Sequence, residues 1–387
     1  MHPYYERALE LKEEITERRR WLHAHAETGA ELPQTMGYIK ETLSKLGLDF
    51  YEAEGGGLLA RAGGGQGKTL LIRADCDALP QLEASGEDFA CTSGACHSCG
   101  HDIHTAALLG AARILKENEA ELKGEVRLCF QPDEERILGA KSMISAGVMQ
   151  GVDAAVGIHV NLPFPAGEFN LRAGGYLASS DMFEIIVKGV GAHGSAPENG
   201  VDPIYIGAKI VEAASAISAR EVNALTPLVL TFGSFNAGDA PNVIPGEARL
   251  SGTIRAFERE VRDCAKKRLE EIAKGIAASF RAEARIDWLS DTPCVYNDPE
   301  LTAEVKAWLA GGFGEERVHE RDLKLKASDD FAYYGETVPA LMFHVGAGLP
   351  ENGCLYGLHN PKARFSEDCL APAAAALAII AREYSRS

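Results

Sequence analysis

The chain has 387 residues, 46% apolar and 25% charged, with a formal net charge of −17. This length is more than one compact core holds, so about two to three domains are expected. Such an acidic chain argues against nucleic acid and anionic membrane surfaces as partners, and no apolar run reaches the roughly 18–20 residues of a transmembrane helix.

The N-terminus, Met1-His2-Pro3-Tyr4-Tyr5-Glu6, has neither the basic region nor the apolar region of a signal peptide. Nine cysteines, an odd number scattered along the chain, fit the reduced thiols of a cytoplasm better than a disulfide framework. Tyr4 to Leu22, rich in Glu, Arg and Leu, reads as an amphipathic helix, and Met36 to Leu46 as a second one ended by Gly47. Thr69 to Ala74 reads as a buried strand that ends in Asp75-Cys76-Asp77. Thr105 to Glu119 is helical. Val126 to Phe130 is the next strand, ending at Gln131-Pro132-Asp133-Glu134-Glu135, and Ala154 to Ile158 is another, ending at His159. Three successive strand ends thus present Asp, Glu or His, at the sheet edge where ligands collect in α/β folds.

From Ser179 the pattern changes. Strands are expected at Met182–Val190, Leu228–Ser234, Ala248–Ala256 and Ala284–Leu289, with helices at Pro203–Ala219 and Glu258–Phe280. The order β-α-β-β-α-β is that of a ferredoxin-like unit, here an insertion of about 110 residues. Helix–strand alternation then resumes, closing with a buried helix over Ala371 to Ile380. The expected fold is α/β: a domain with a central, mostly parallel sheet flanked by helices (1–178 and 291–387), interrupted by a ferredoxin-like α+β domain (179–290).

The densest chemistry lies in Cys96-His97-Ser98-Cys99-Gly100-His101-Asp102-Ile103-His104, with two thiols, three imidazoles and a carboxylate in nine positions. Thiolate and imidazole are preferred donors for zinc and its neighbours, and an Asp after a His can orient the ring. His104 could point at the site or away from it. The competing reading is a redox pair of Cys96 and Cys99. Such pairs usually open a helix behind a thioredoxin-like strand and have no need of interleaved histidines. Glu134 and Glu135 are adjacent, so one carboxylate can bind metal while the other takes a proton from water. Asp133 adds a third acid, whose repulsion would raise a neighbour's pKa. A solvated acidic loop is the plainer reading of such a triplet taken alone. His159 and His359, each among apolar neighbours, would singly read as core residues. Together with Cys99, His101 and Glu135 they make five donors, enough for two ions sharing ligands. His193, Asn242 and Arg255 fall in the insertion. Asn and Arg suit a carboxylate ligand, though each alone would pass for a surface residue.

In RADCDALP (73–80), HSCGHDIHT (97–105), FQPDEE (130–135), GIHV (157–160), GAHGSAP (191–197), NVIPGEARLSGTIR (242–255), SDDFA (328–332) and LHNP (358–361), nearly the whole chain resembles one family. It is the metal-dependent amidohydrolase family of aminoacylases, hippurate hydrolases and indole-acetyl-amino-acid hydrolases, related to carboxypeptidases of the G type. The resemblance implies two divalent ions held by Cys99, His101, Glu135, His159 and His359, with Cys99 bridging. It implies Glu134 as general base, Asp77 as a buttressing carboxylate, and His193 as a residue of the inserted domain that reaches the partner subunit's site and polarises the scissile carbonyl. Asn242 and Arg255 would lie near the substrate carboxylate, and the insertion would serve as lid and dimerisation domain, in a homodimer or a higher oligomer.

The expected reaction is hydrolysis of the amide of an N-acyl amino acid. A dipeptidase or carboxypeptidase acting on short peptides is the alternative within the family, and a non-catalytic metal or redox protein the alternative outside it. Donor softness favours zinc, cobalt or nickel, and the resemblance adds manganese. Four features depart from the family pattern: Cys76 for Met, Cys96 and Ser98 for Met and Ala, Asp133 for Ala, and Glu198 after Pro197 where His is common. None removes a ligand.

Overall fold

The structure, a computed structural model, describes residues 2–321, 324–348 and 356–387. The chain opens with helices α1 (Pro3–Glu10), α2 (Lys12–Ala24) and α3 (Pro33–Leu46), then strands β1 (Asp49–Glu52), β2 (Leu58–Gly63) and β3 (Thr69–Asp75). Next come α4 (His101–Glu117), β4 (Glu125–Gln131), α5 (Gly139–Ser145), β5 (Ala154–Pro165), β6 (Phe169–Asn170) and β7 (Gly174–Leu177). β8 (Ser180–Lys188), β9 (Ala192–His193), α6 (Pro203–Ala216), β10 (Leu228–Ala237), β11 (Val243–Ile244), β12 (Glu247–Ala256), α7 (Arg259–Ser279) and β13 (Glu283–Thr292) follow. The chain closes with β14 (Val295–Asn297), α8 (Pro299–Phe313), β15 (Val318–His319), α9 (Ala332–Gly335), β16 (Ala340–Gly348) and α10 (Leu370–Tyr384).

Two compact units result. One comprises Met1–Gly174, Tyr296–Leu323 and Asp329–Ser387, the other Gly175–Val295 and Lys324–Ser328. The first unit is built on an eight-stranded sheet of order β1-β2-β4-β3-β5-β16-β6-β15. Its centre, β4-β3-β5-β16, is parallel throughout, while β1 and β2 pair antiparallel at one edge. The mostly parallel α/β fold expected from the sequence is thus present. The central strands are nearly continuous apolar runs because both faces are covered. On one face α4 and α10 share a core with residues of α1, α2, α3 and α8. α10 is Ala-rich because it packs closely on α4. A Cβ on Gly110 of α4 would lie 2.9 Å from the Cβ of Ala374 and 2.8 Å from Cδ1 of Ile15, so glycine sets that approach. α5 and α9 contact β4 and β16 outside that core.

The expected helix over Tyr4–Leu22 is two helices broken at Leu11. The break is shallow: Leu11 has φ −87° and ψ 0°, and its carbonyl still accepts the Ile15 N–H at 2.9 Å. Gly47 ends α3 at φ 68°, a left-handed cap that glycine adopts without a Cβ penalty.

The second unit has a four-stranded antiparallel sheet of order β10-β12-β8-β13, with its own core between the sheet and helices α6 and α7. Four strands and two helices in that order are the ferredoxin-like arrangement. Asp202 caps α6 by accepting the Ile204 N–H at 2.9 Å. No described helix is long and apolar enough to cross a membrane.

Candidate active site

The candidate donors and acids lie at the C-terminal ends of β3 and β4, at the start of α4, within β5 at His159, and at His359 after β16. Two details differ from the expectation. α4 begins at His101 rather than Thr105, so His101 to His104 form its first turn. β5 continues to Pro165, so His159 sits within the strand and not beyond it. Gly100 precedes α4 at φ 91°, where a Cβ would lie 2.4 Å from Cγ2 of Val160. Only glycine lets the chain turn there with Cys99 and His101 on either side of it.

Cys99, His101 and His159 bring ligand atoms within 4.8 Å of one another, and so do Cys99, Glu135 and His359. Cys99 belongs to both groups. Its Sγ is 3.5 Å from Nε2 of His159, and Nε2 of His359 is 3.5 Å from Oε2 of Glu135. His101, Glu134 and Glu135 form a third group. Two histidines have one nitrogen anchored. Nδ1–H of His101 donates to the Asp77 carbonyl at 2.8 Å, and Nδ1–H of His159 donates to the Val160 carbonyl at 2.8 Å. Each Nε2 therefore carries its lone pair toward the cluster, the arrangement of metal-ligating histidines.

The residues fit a metal centre. Among the described residues, Nε2 of His101 and Oε1 of Glu135 are buried without a hydrogen-bond partner, a cost that bound cations would relieve. Burial pushes the Cys99 thiol pKa well up, which a cation at sulfur offsets. The Glu135 carboxyl is also raised by burial, opposed by His101 and His359.

Asp77 organises this turn. Its carboxylate is fully buried and accepts the N–H groups of Glu134 at 3.0 Å and Glu135 at 3.2 Å. The turn itself needs Asp133 at φ 64°. Glu134, 6% exposed, has Oε2 3.9 Å from Nε2 of His101. Burial raises the Glu134 pKa well above the carboxylate range, and the Asp329 and Asp330 carboxylates add to the rise.

Sequence reading assigned no role to the network beneath. Arg73, fully buried, pairs with Asp75 at 2.7 Å, Asp330 at 2.7 Å and Asp329 at 3.2 Å, and its Nε donates to Gln131 at 3.0 Å. Asp75 in turn accepts from Nδ1–H of His104 at 2.5 Å, whose Nε2 accepts the Val160 N–H at 2.9 Å. His104 therefore points away from the donor cluster and ties α4 to β3 and β5. Burial opposes the charge of Asp75, yet His101, Arg73 and His104 hold its pKa well below the usual range. Burial and Asp329 lift Asp330 to about 7 against the pull of Arg73. The motifs RADCDALP and SDDFA hold these residues, and a buried Arg beside two acidic strand ends was the available signal.

The redox reading of Cys96 and Cys99 finds no support. All described cysteines are free, Cys96 is buried, and burial pushes its thiol to about 12, the opposite of a reactive thiolate. Among the described residues neither ring nitrogen of buried His97 has a hydrogen-bond partner, and burial pushes its pKa down to about 4.

His193, Asn242 and Arg255 lie in the second unit. His193 on β9 pairs with Val243 on β11, and the Gly194 N–H donates to the Asn242 carbonyl at 2.7 Å. Nδ1 of exposed His193 accepts the Ser195 N–H at 3.1 Å. Half-buried Arg255, on β12, donates through Nη1 to the Ile254 carbonyl at 3.1 Å.

Residues 71–383 match the model of peptidase family M20/M25/M40. Thermostable carboxypeptidase 2 of Saccharolobus solfataricus is 37% identical over 383 residues, covering 97% of this chain and 96% of that protein. The N-acetyl-L-cysteine deacetylase of Bacillus subtilis is 37% identical over 338 residues, covering 85% of this chain and 79% of that one. The crystal structure of a dinuclear metal-binding peptidase of the M20 family from Bacillus subtilis superposes with a TM-score of 0.84 at 30% identity, covering 96% of this chain and 98% of that one.

Proposed function

The chain belongs to peptidase family M20/M25/M40 and is a hydrolase of amide bonds; from that premise we propose that it hydrolyses the amide bond of N-acyl amino acids with two divalent ions. The observation that carries this reading is the donor set around Cys99, with Glu134 beside it and Asp77 holding both glutamates. Cys99, His101, Glu135, His159 and His359 would hold the ions, and Cys99 belongs to two of these donor groups. Bound there, the ions supply Lewis acidity toward a water and the scissile carbonyl. Zinc and manganese suit the set, with cobalt and nickel also compatible.

Glu134 would take a proton from the attacking water on its carboxylate and deliver it to the leaving amine nitrogen. Glu134 is buried with Oε2 3.9 Å from Nε2 of His101, which sets this carboxylate beside the donor cluster. Asp77 keeps the backbone of the pair fixed, so that Glu135 stays a ligand while Glu134 stays a base. Because Nδ1 of His193 accepts from Ser195, a neutral His193 carries its proton on Nε2 and can donate it to an oxyanion. Asn242 and Arg255 take the substrate carboxylate. We further propose that the second unit (residues 179–290 in the boundaries read from sequence) acts as a lid and pairs two chains in a homodimer.

A second reading, a dipeptidase or carboxypeptidase, draws on the similarity to thermostable carboxypeptidase 2. A panel of N-acetyl and N-benzoyl amino acids and dipeptides, measured with metal analysis, separates the two. The first reading predicts kcat/KM at least tenfold higher for N-acyl amino acids. Preference for dipeptides overturns it in favour of the second.

A further inference from the structure

Asn161 lies two residues beyond His159 on β5, so both side chains stand on one face of the sheet at the C-terminal ends of its parallel strands. Opposite His159 on β16 is His344, and opposite His344 on β6 is Asn170, which makes a polar row across three strands. The rings of His159 and His344 are 5.6 Å apart. Asn170 accepts the Arg321 N–H at 3.2 Å, and His344 is also partnered. Asn161 differs. It is only 8% exposed, yet among the described residues its carboxamide makes no hydrogen bond.

The backbone is also special at this point. Opposite Asn161 on β16 is Gly346, which has no side chain to cover it, and the ladder then shifts so that Gly348 pairs with Pro165. A Cβ on Gly346 would lie 1.9 Å from the Pro165 carbonyl oxygen, so glycine is what admits the bulge. A bulge beside a site re-aims a side chain. The Asn161 carboxamide keeps a narrow solvent access, so its donors and its acceptor are open to a ligand that supplies the bonds the described residues do not.

We infer that Asn161 is a specificity-determining residue that hydrogen-bonds a polar group of the substrate flanking the scissile amide. The inference rests on the proposed amide hydrolysis and goes beyond it by naming what the pocket selects. The group is an amide or carboxamide, which matches both the donor and the acceptor of Asn161. A hydrocarbon of equal size leaves the Asn161 carboxamide unpaired and is turned over more slowly.

The test uses the metal-loaded full chain and two matched pairs of substrates. One pair differs on the acyl side, N-acetylglycyl against N-hexanoyl amino acids; the other differs on the amino-acid side, N-acetylglutamine against N-acetylmethionine. The wild type should favour the amide-bearing member of one pair by roughly tenfold or more in kcat/KM. Asn161→Leu should erase that preference by raising KM for that member alone, with metal content and denaturation midpoint unchanged. Asn161→Ala, which adds no bulk, serves as the second variant should Leu disturb the bulge. Equal losses on all substrates, or an unchanged preference, overturn the inference. If the wild type hydrolyses none of the four, the amide-hydrolysis reading fails, a distinct result.

Discussion

Replacing Asp77 with Ala removes the one carboxylate that accepts both the Glu134 and the Glu135 N–H, at 3.0 and 3.2 Å. Asp77 is fully buried, so no bulk water replaces the lost acceptor. Each unsatisfied buried N–H costs about 1–3 kcal/mol, which puts the loss at roughly 2–6 kcal/mol if both stay unpaired. The same change frees Glu135, a proposed ligand, from its backbone anchor, and loss of such an outer partner typically weakens metal binding about 10–100-fold. Asp77→Asn keeps one acceptor oxygen and turns an N–H toward the other donor, so it should fall between Ala and wild type. The assay is equilibrium unfolding in denaturant, read with and without chelator, beside metal titration of the same preparations. A midpoint and a metal affinity for Asp77→Ala both equal to wild type would refute the argument that this carboxylate holds the glutamate pair.

Glu134→Gln should bind metal as the wild type does and lose hydrolysis by about 10²–10⁴-fold; near-normal turnover would remove Glu134 from the role of base. His23, which pairs with Asp102 beside the candidate ligand His101, offers a pH test. Burial opposes its charge, but Asp102 at 2.9 Å and Glu83 at 2.9 Å lift its pKa to about 9. A pKa raised above the unfolded value of 6.5 contributes stability that is complete below pH 6.5 and is lost as pH rises through about 9. That contribution is on the order of 3 kcal/mol, and His23→Gln should flatten the decline in unfolding free energy over this window. An identical slope in the variant would count against the assignment. Mixing His193→Ala with Glu134→Gln should restore partial turnover if His193 serves the partner's site, whereas an inactive mixture argues against action in trans.

Much of the site was legible because α/β folds gather ligands at strand ends, and the motif segments mark those ends directly. Legibility stopped where long-range pairing decides the chemistry. Arg73 reads as an ordinary strand residue until Asp330, 257 positions away, is found against its guanidinium. His104 could not be assigned from spacing, because its direction depends on Asp75 in β3 and Val160 in β5. His159 was expected past a strand end, since nothing in GIHV signals that β5 runs on to Pro165. The ferredoxin-like order of the insertion was readable from periodicity, because its strands and helices alternate with turn signals between them.

The central claim, that a pair of cations on the Cys99-centred donors drives amide hydrolysis, is tested most directly by titrating metal-free protein with zinc or manganese while following N-acetyl amino acid hydrolysis. Activity should rise to a plateau at two equivalents per chain and vanish on chelation, and Cys99→Ala, which removes a ligand from both groups, should not regain it. Turnover that survives chelation, or full activity in Cys99→Ala, would contradict the account.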